Sequence, residues 1–191
     1  MEEFEIKFLE VDVPELEKKL LAIGAKKVGS YDYSRKLFDY PDGAMNDRHS
    51  WIRVRTDGKE TTLTYKQNLR KKLDDGSEEN IGAKEIEVSV NDYAKTCELL
   101  KAMGLVVTTE EKNKRTRYIK DDVVFDIDSW PFIPTYLEIE SSSHKKAEAA
   151  AVELGFDPKN GIIGSAGTVY KKYGFSTGAY SSITFEGMIK K

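Results

Sequence analysis

The chain has 191 residues, enough for one domain to bury a core without covalent staples. Lys and Arg number 30 against 33 Asp and Glu, so the net charge is only -3, which argues against a simple nucleic-acid patch. The single cysteine, Cys97, excludes an intramolecular disulfide and suits a reduced, cytoplasmic setting, while two histidines, His49 and His144, are too few for a zinc site built on His and Cys.

Residues 3–11 alternate charged and apolar at period two, the pattern of a half-buried strand. Asp12 reads as an N-cap with Pro14 in the first turn, and the helix it opens stops at Gly24. A long strand over 26–40 ends in the turn Pro41-Asp42-Gly43. Strands 51–56 and 61–66 flank Asp57-Gly58, a hairpin signal. Residues 67–82 are polar and aperiodic and read as a mobile loop. Strand 84–90 leads to a second helix, capped by Asn91 and ended by Gly104. Strands over 105–119, 122–129 and 135–141 follow, the first two turning at Asp121-Asp122. A third helix is expected from about Ser143 to Leu154, with partial helix over 158–174. Residues 176–191 carry no strong pattern and read as a tail, packed on the same domain or disordered. No linker divides residues 1–175, so they read as one domain. Eight strands in short hairpins predict an α+β fold: a closed eight-stranded antiparallel β-barrel with helices packed outside.

Alternate residues of a strand share a face. On the first strand one face carries Glu3, Glu5 and Lys7, the other Phe4, Ile6 and Phe8. The charged faces of later strands carry Arg53 and Arg55; Thr62, Thr64 and Lys66; Glu85 and Glu87; Asn113, Arg115 and Arg117; Asp126 and Asp128; and Glu138 and Glu140. A solvent-facing role for each strand alone is the ordinary reading of such alternation. Here, however, most of these pairs are sorted strand by strand into acid with acid or base with base. Like charges so placed cost energy unless something of opposite sign lies between them. If the helices cover the apolar faces, the charged faces line an interior holding eight carboxylates and six bases. Carboxylates suit Mg²⁺ or Mn²⁺, and Arg and Lys clamp phosphate oxygens. A polyphosphate chain answers to both sets.

These residues resemble the CYTH superfamily, the triphosphate tunnel metalloenzymes. Glu3-Phe4-Glu5-Ile6-Lys7 fits its ExExK signature, and Arg53-x-Arg55, Lys66, Glu85-x-Glu87, Arg115-x-Arg117, Asp126-x-Asp128 and Glu138-x-Glu140 follow in the expected order over about residues 1–173. The resemblance implies an eight-stranded tunnel acting on triphosphates with Mg²⁺ or Mn²⁺. It implies metal ligation by Glu3, Glu5 and Glu138 or Glu140, with Asp126 and Asp128 as further candidates. It implies a phosphate clamp of Lys7, Arg53, Arg55, Lys66, Arg115 and Arg117. Lys7, Glu85 and Glu87 are the candidates for catalysis. Glu85 or Glu87 either activates water or merely pairs with a neighbouring arginine.

Metal-dependent hydrolysis of the terminal phosphoanhydride of tripolyphosphate, thiamine triphosphate or a nucleoside triphosphate is the first reading. A cyclase that makes cyclic AMP and pyrophosphate from ATP is the second, and a non-catalytic polyphosphate- or nucleotide-binding module is the third. Tyr31, Tyr33, Trp51 and Trp130 are candidates to stack a base, against ordinary core or rim packing. A nucleic-acid-binding barrel is disfavoured by the inward acids and a pI near 5.6. The opening residues lack a basic start followed by an apolar run, and no stretch approaches the ~20 apolar residues of a membrane span. The expected partner is therefore a small-molecule triphosphate, with no nucleic acid and no membrane, and a homodimer is the assembly to test.

Overall fold

The computed structural model describes residues 2–191 apart from Asp74, Asp75 and Ser77; at Glu2, Glu3 and 78–80 it describes the backbone alone. The described residues form an α+β fold with a large, mostly antiparallel sheet, ten strands and four α-helices. In chain order these are β1 (Glu2–Phe8), α1 (Val13–Ala22), β2 (Lys26–Asp39), β3 (Ser50–Thr56), β4 (Thr61–Lys72), β5 (Glu78–Val90), α2 (Tyr93–Ala102), β6 (Val106–Lys120), β7 (Val123–Ser129), β8 (Tyr136–Ser141), α3 (His144–Glu153), α4 (Ala166–Lys172), β9 (Tyr180–Thr184) and β10 (Gly187–Lys190). Among the described residues no helix is long and apolar enough to cross a membrane. The chain divides into two compact units, one built on Asp32–Asn113 and Ser176–Lys191, the other on Glu3–Tyr31 and Lys114–Phe175.

In the second unit the strand order is β1-β8-β7-β6, and all three pairings are antiparallel. Period-two alternation sends Ile6, Phe8, Phe125, Ile127, Leu137 and Ile139 to one face. α1 and α3 cover that face. α1 starts where Asp12 accepts the Glu15 N–H at 3.0 Å, and it buries Leu16 and Leu20. α3 is capped by Ser143 and presents Ala147, Ala150 and Ala151, whose small side chains let it lie close on β8. Leu20 is fully buried in this cluster. Leu20→Ala is expected to cost about 2–5 kcal/mol, read as a lower urea midpoint at unchanged slope.

In the first unit the order is β10-β9-β6-β2-β3-β4-β5. Phe38 and Val54 meet Cys97, Leu100 and Leu105, so α2 seals the apolar face there. Cys97 is buried in this cluster. The cap of α2 lies one residue beyond the expected Asn91: the Asp92 carboxylate takes the Lys95 N–H at 2.9 Å.

Two segments differ from expectation. Residues 67–72 and 78–82 are strand, not loop: β4 and β5 stay paired out to Lys72 and Glu78, with a register shift between Leu69 and Arg70. A ladder needs only backbone groups, so a ribbon polar on both faces leaves no periodic signature. At its tip, Asp74, Asp75 and Ser77 lie outside the described residues. The 180–190 stretch is an antiparallel hairpin, and β9 runs parallel to β6 through Glu110–Ser182 and Glu111–Ile183, burying Ile183 completely.

Candidate active site: two charged sheet faces

In the second unit the face opposite the core carries charge. Across β1 and β8, Glu5 lies opposite Glu140 and Lys7 opposite Glu138. Across β8 and β7, Glu138 lies opposite Asp126; across β7 and β6, Asp128 faces Arg115 and Asp126 faces Arg117. These positions therefore share one surface, as the alternation predicts.

Burial makes the pairing consequential. Lys7 is 1% exposed and its Nζ lies 3.1 Å from Glu5 and 3.0 Å from Glu138. Burial pulls its pKa down, but the two carboxylates more than offset this, so the ammonium stays charged. Arg115 grips Asp128 with two nitrogens, Nε at 2.6 Å and Nη2 at 2.5 Å, touches Asp126 with Nη1, and reaches Glu138 at 3.4 Å. Arg117 grips Asp126 the same way, at 2.8 and 2.6 Å. The fork geometry of guanidinium suits such bidentate contacts. Burial raises the Asp126 carboxyl, against the pull of Arg115 and Arg117, and Arg117, bonded to Asp126, is held well above the usual arginine range.

Among the described residues this face has five carboxylates, Glu5, Asp126, Asp128, Glu138 and Glu140, against three bases, Lys7, Arg115 and Arg117. Asp126, Asp128 and Glu138 are all engaged by arginine. Glu5 lies opposite Glu140 as Glu138 lies opposite Asp126, and such like pairs cost energy unless cations lie close by. Among the described residues no three His, Cys, Asp or Glu groups are arranged to hold a metal ion. Mg²⁺ and Mn²⁺ do not require three: one or two carboxylates plus substrate phosphates suffice for Mg²⁺, and an all-oxygen donor pair fits a hard cation. Glu3, the third expected ligand, has a side chain outside the described residues.

The first unit carries the complementary charge. Arg53 faces Thr64, Arg55 faces Thr62 and Trp51 faces Lys66 across β3 and β4; Thr64 faces Glu87 and Lys66 faces Glu85 across β4 and β5. Arg53 lies 3.4 Å from Glu85 and 3.2 Å from Glu87, Arg55 3.6 Å from Glu87, and Lys66 2.9 Å from Glu85. The Thr64 hydroxyl donates to Glu87 at 2.6 Å. Burial works to raise Glu87, yet the Thr64 bond and the charges of Arg55 and Arg53 leave it below the usual carboxylate range. Both candidate bases are thus held by cations.

Sequence reading missed Arg35 and Glu111 here. Arg35 is buried, faces Arg55 directly, and donates to Asn113. The Tyr33 ring lies under both guanidinium groups, 5.9 Å from Arg35 and 4.5 Å from Arg55. Glu111 is raised by burial, against the pull of Arg35 and Arg53. Alternation from Tyr33 would have placed Arg35 on this face. Of the aromatic candidates, Trp130 is a core residue, edge-on to Tyr170. Tyr31 lies over Gly29, where any Cβ would meet the phenol oxygen at 3.0 Å.

The CYTH domain model matches residues 1–165, and the chain belongs to that family. No curated protein is significantly similar to it. Among solved structures, a protein of Pyrococcus horikoshii OT3 is 24% identical with a TM-score of 0.66, over 85% of this chain and 94% of its own. A Vibrio parahaemolyticus protein provisionally named an adenylate cyclase is 11% identical with a TM-score of 0.74, over 90% and 98%. A Hippeastrum protein, also provisionally named an adenylyl cyclase and described as having a dominant triphosphatase activity, is 15% identical with a TM-score of 0.60, over 91% and 96%. At these identities the likeness is one of fold.

Proposed function

We propose that this protein is a metal-dependent triphosphatase. The observation that carries the reading is the sorting of charge. A phosphate chain has a clamp in Arg35, Arg53, Arg55 and Lys66 of the first unit. A hard cation has oxygen donors in Glu5 and Glu140 of the second. The closed eight-stranded barrel expected from the sequence, a cytoplasmic setting and a homodimeric assembly belong to this proposal.

The bound cation would supply charge neutralisation and Lewis acidity at phosphoryl oxygens. The chain's own residues do the rest. The guanidinium groups of Arg53 and Arg55 bind equatorial oxygens, where negative charge builds as the phosphoanhydride breaks. Lys7, locked between Glu5 and Glu138, presents a fixed positive charge. Glu87 is ionised at neutral pH and is the candidate to orient and deprotonate the attacking water. The Hippeastrum protein favours hydrolysis. The name of the Vibrio protein keeps cyclisation as the second reading.

The test is a product assay with tripolyphosphate, thiamine triphosphate and ATP, each with Mg²⁺ or Mn²⁺. Phosphate release supports hydrolysis. Cyclic AMP with equal pyrophosphate replaces it with the cyclase. Binding without any product leaves only a binding module. In the same assay Arg53→Ala is expected to weaken tripolyphosphate binding about 10–100-fold, the effect of losing one or two charged hydrogen bonds. Unchanged affinity by calorimetry would place the clamp elsewhere.

A further inference from the structure

Within the first unit, β6 sets one carboxyl against the bank of bases. Glu111 shares its strand face with Asn113, two residues further on. Asn113 is buried and accepts a hydrogen bond from Arg35 on the neighbouring β2. On the other side of β6, β9 places Ile183 opposite Glu111, and Ile183 is fully buried. The carboxyl therefore has apolar cover on one side and positive charge on the other. Burial raises its pKa, against the pull of Arg35 from β2 and Arg53 from β3. The Lys36–Glu110 and Lys112–Glu186 ion pairs use the alternate positions of β6 and so lie on its opposite face. Glu85 and Glu87, at the β5 end of the bases, pair with Arg53, Arg55 and Lys66. Glu111 stands at the β6 end, beyond Arg35.

We propose that Glu111 is a proton-carrying member of the phosphate clamp: it takes up one proton from solvent as a phosphate chain settles on Arg35 and Arg53, and the resulting acid donates a hydrogen bond to a phosphate oxygen. The inference rests on the reading of these bases as a phosphate clamp and adds a residue to it. Arg35 and Arg53 are what make an ionised Glu111 tolerable beside Ile183. A bound phosphate chain engages those charges and brings negative charge of its own, which disfavours a second anion under apolar cover. Protonation removes the repulsion. It also turns an acceptor-only group into a donor, which is what a phosphate oxygen requires. Linkage gives the sign. If phosphate binding strengthens proton binding at Glu111, protonation strengthens phosphate binding by the same factor. Affinity therefore falls as pH rises from the carboxyl's value in the free protein to its higher value in the complex, by about tenfold per pH unit at most.

The experiment is calorimetric binding of inorganic tripolyphosphate to the full chain between pH 5 and pH 9, with EDTA, in buffers of different ionisation enthalpy. The slope of observed enthalpy against buffer ionisation enthalpy counts the protons taken up per phosphate chain bound. Wild type is compared with Glu111→Gln, which is neutral and keeps a donor, and Glu111→Leu, which is neutral and has none. The protons of tripolyphosphate itself enter all three alike, so the difference between proteins isolates Glu111. Because the count is per bound chain, a loss of folded protein does not change it. Wild type is expected to take up more protons than either variant within this range, and its Kd to weaken more steeply with pH. At the alkaline end Glu111→Gln should bind at least as tightly as wild type, and Glu111→Leu about tenfold more weakly than Glu111→Gln. Equal proton uptake and equal pH slope in wild type and Glu111→Gln overturn the inference and leave the clamp standing. Equal affinity of the Gln and Leu variants overturns the hydrogen bond. Failure of wild type to bind, with EDTA or with Mg²⁺, removes the clamp, and this inference with it.

Discussion

Arg115→Ala is expected to lower the unfolding free energy by about 3–5 kcal/mol, the usual penalty for removing one partner from a buried charge network. Arg115 is the hub of the second unit: it contacts Asp126, Asp128 and Glu138, and the two aspartates are 1% and 0% exposed. Removing it leaves Asp128 without its bidentate partner and Asp126 with Arg117 alone. Loss of the contact is a small part of the effect. The larger part is the desolvation of Asp126 and Asp128, which are left with less counter-charge. This fixes the pH dependence. Burial already holds the Asp126 carboxyl above its usual value, and without Arg115 only Arg117 opposes that, so it rises further. The penalty at Asp126 is therefore full above its raised folded-state value. It fades as pH falls and is gone below the unfolded value of about 4. Urea unfolding of both proteins between pH 7 and pH 4 should show the gap closing at the acid end. Arg115→Lys keeps a charge but cannot span two carboxylates, so it should fall between them. A gap under about 1 kcal/mol at pH 7 would mean that the aspartates are solvated or balanced by other groups.

What the sequence makes legible follows from where its information is local. Glu5 with Lys7, Arg53 with Arg55 and Glu138 with Glu140 could be assigned to common faces because strand alternation is a local rule, and the register between strands places them together. α1 and α3 were legible for the same reason: Asp12 and Ser143 sit next to the N–H groups they satisfy. Distant pairing was not legible. Alternation puts Arg35 on the face of Tyr33, but only the register of β2 against β3 brings it opposite Arg55. The 67–72 and 78–82 ribbon escaped because its strands are polar on both faces. The C-terminal hairpin escaped because four- and five-residue strands are too short to show a period, and the burial of Ile183 is decided by β6, about 70 residues earlier. Trp130 follows the ordinary reading of an aromatic beside charged strands: it packs in the core, edge-on to Tyr170.

Glu5→Gln and Glu140→Gln are each expected to reduce metal-dependent turnover by roughly 100-fold or more, beyond the 10–100-fold typical of changes outside the ligand shell itself. Activity alone would not separate a ligand from a structural residue, so stability must be read beside it. Glu5 and Glu140 face each other across β1 and β8, and Glu140 also acts on the charge of Arg117. Glu140→Gln removes one of two opposed charges together with that attraction, so the melting temperature of the metal-free variant should change little. The loss of a metal ligand is read instead from the metal-induced rise. Glu5→Gln differs because Glu5 also lies 3.1 Å from the buried Lys7 ammonium, and its loss should cost some stability in the metal-free state. Added Mn²⁺ or Mg²⁺ should raise the melting temperature of wild type, since a ligand that binds only the folded state stabilises it in proportion to the logarithm of its saturation. In either variant that rise should shrink or vanish. If both variants kept the full metal-induced rise, the cation would lie elsewhere, and the second unit's acidic face would be an ion-pair network that serves only to hold Lys7, Arg115 and Arg117 in place.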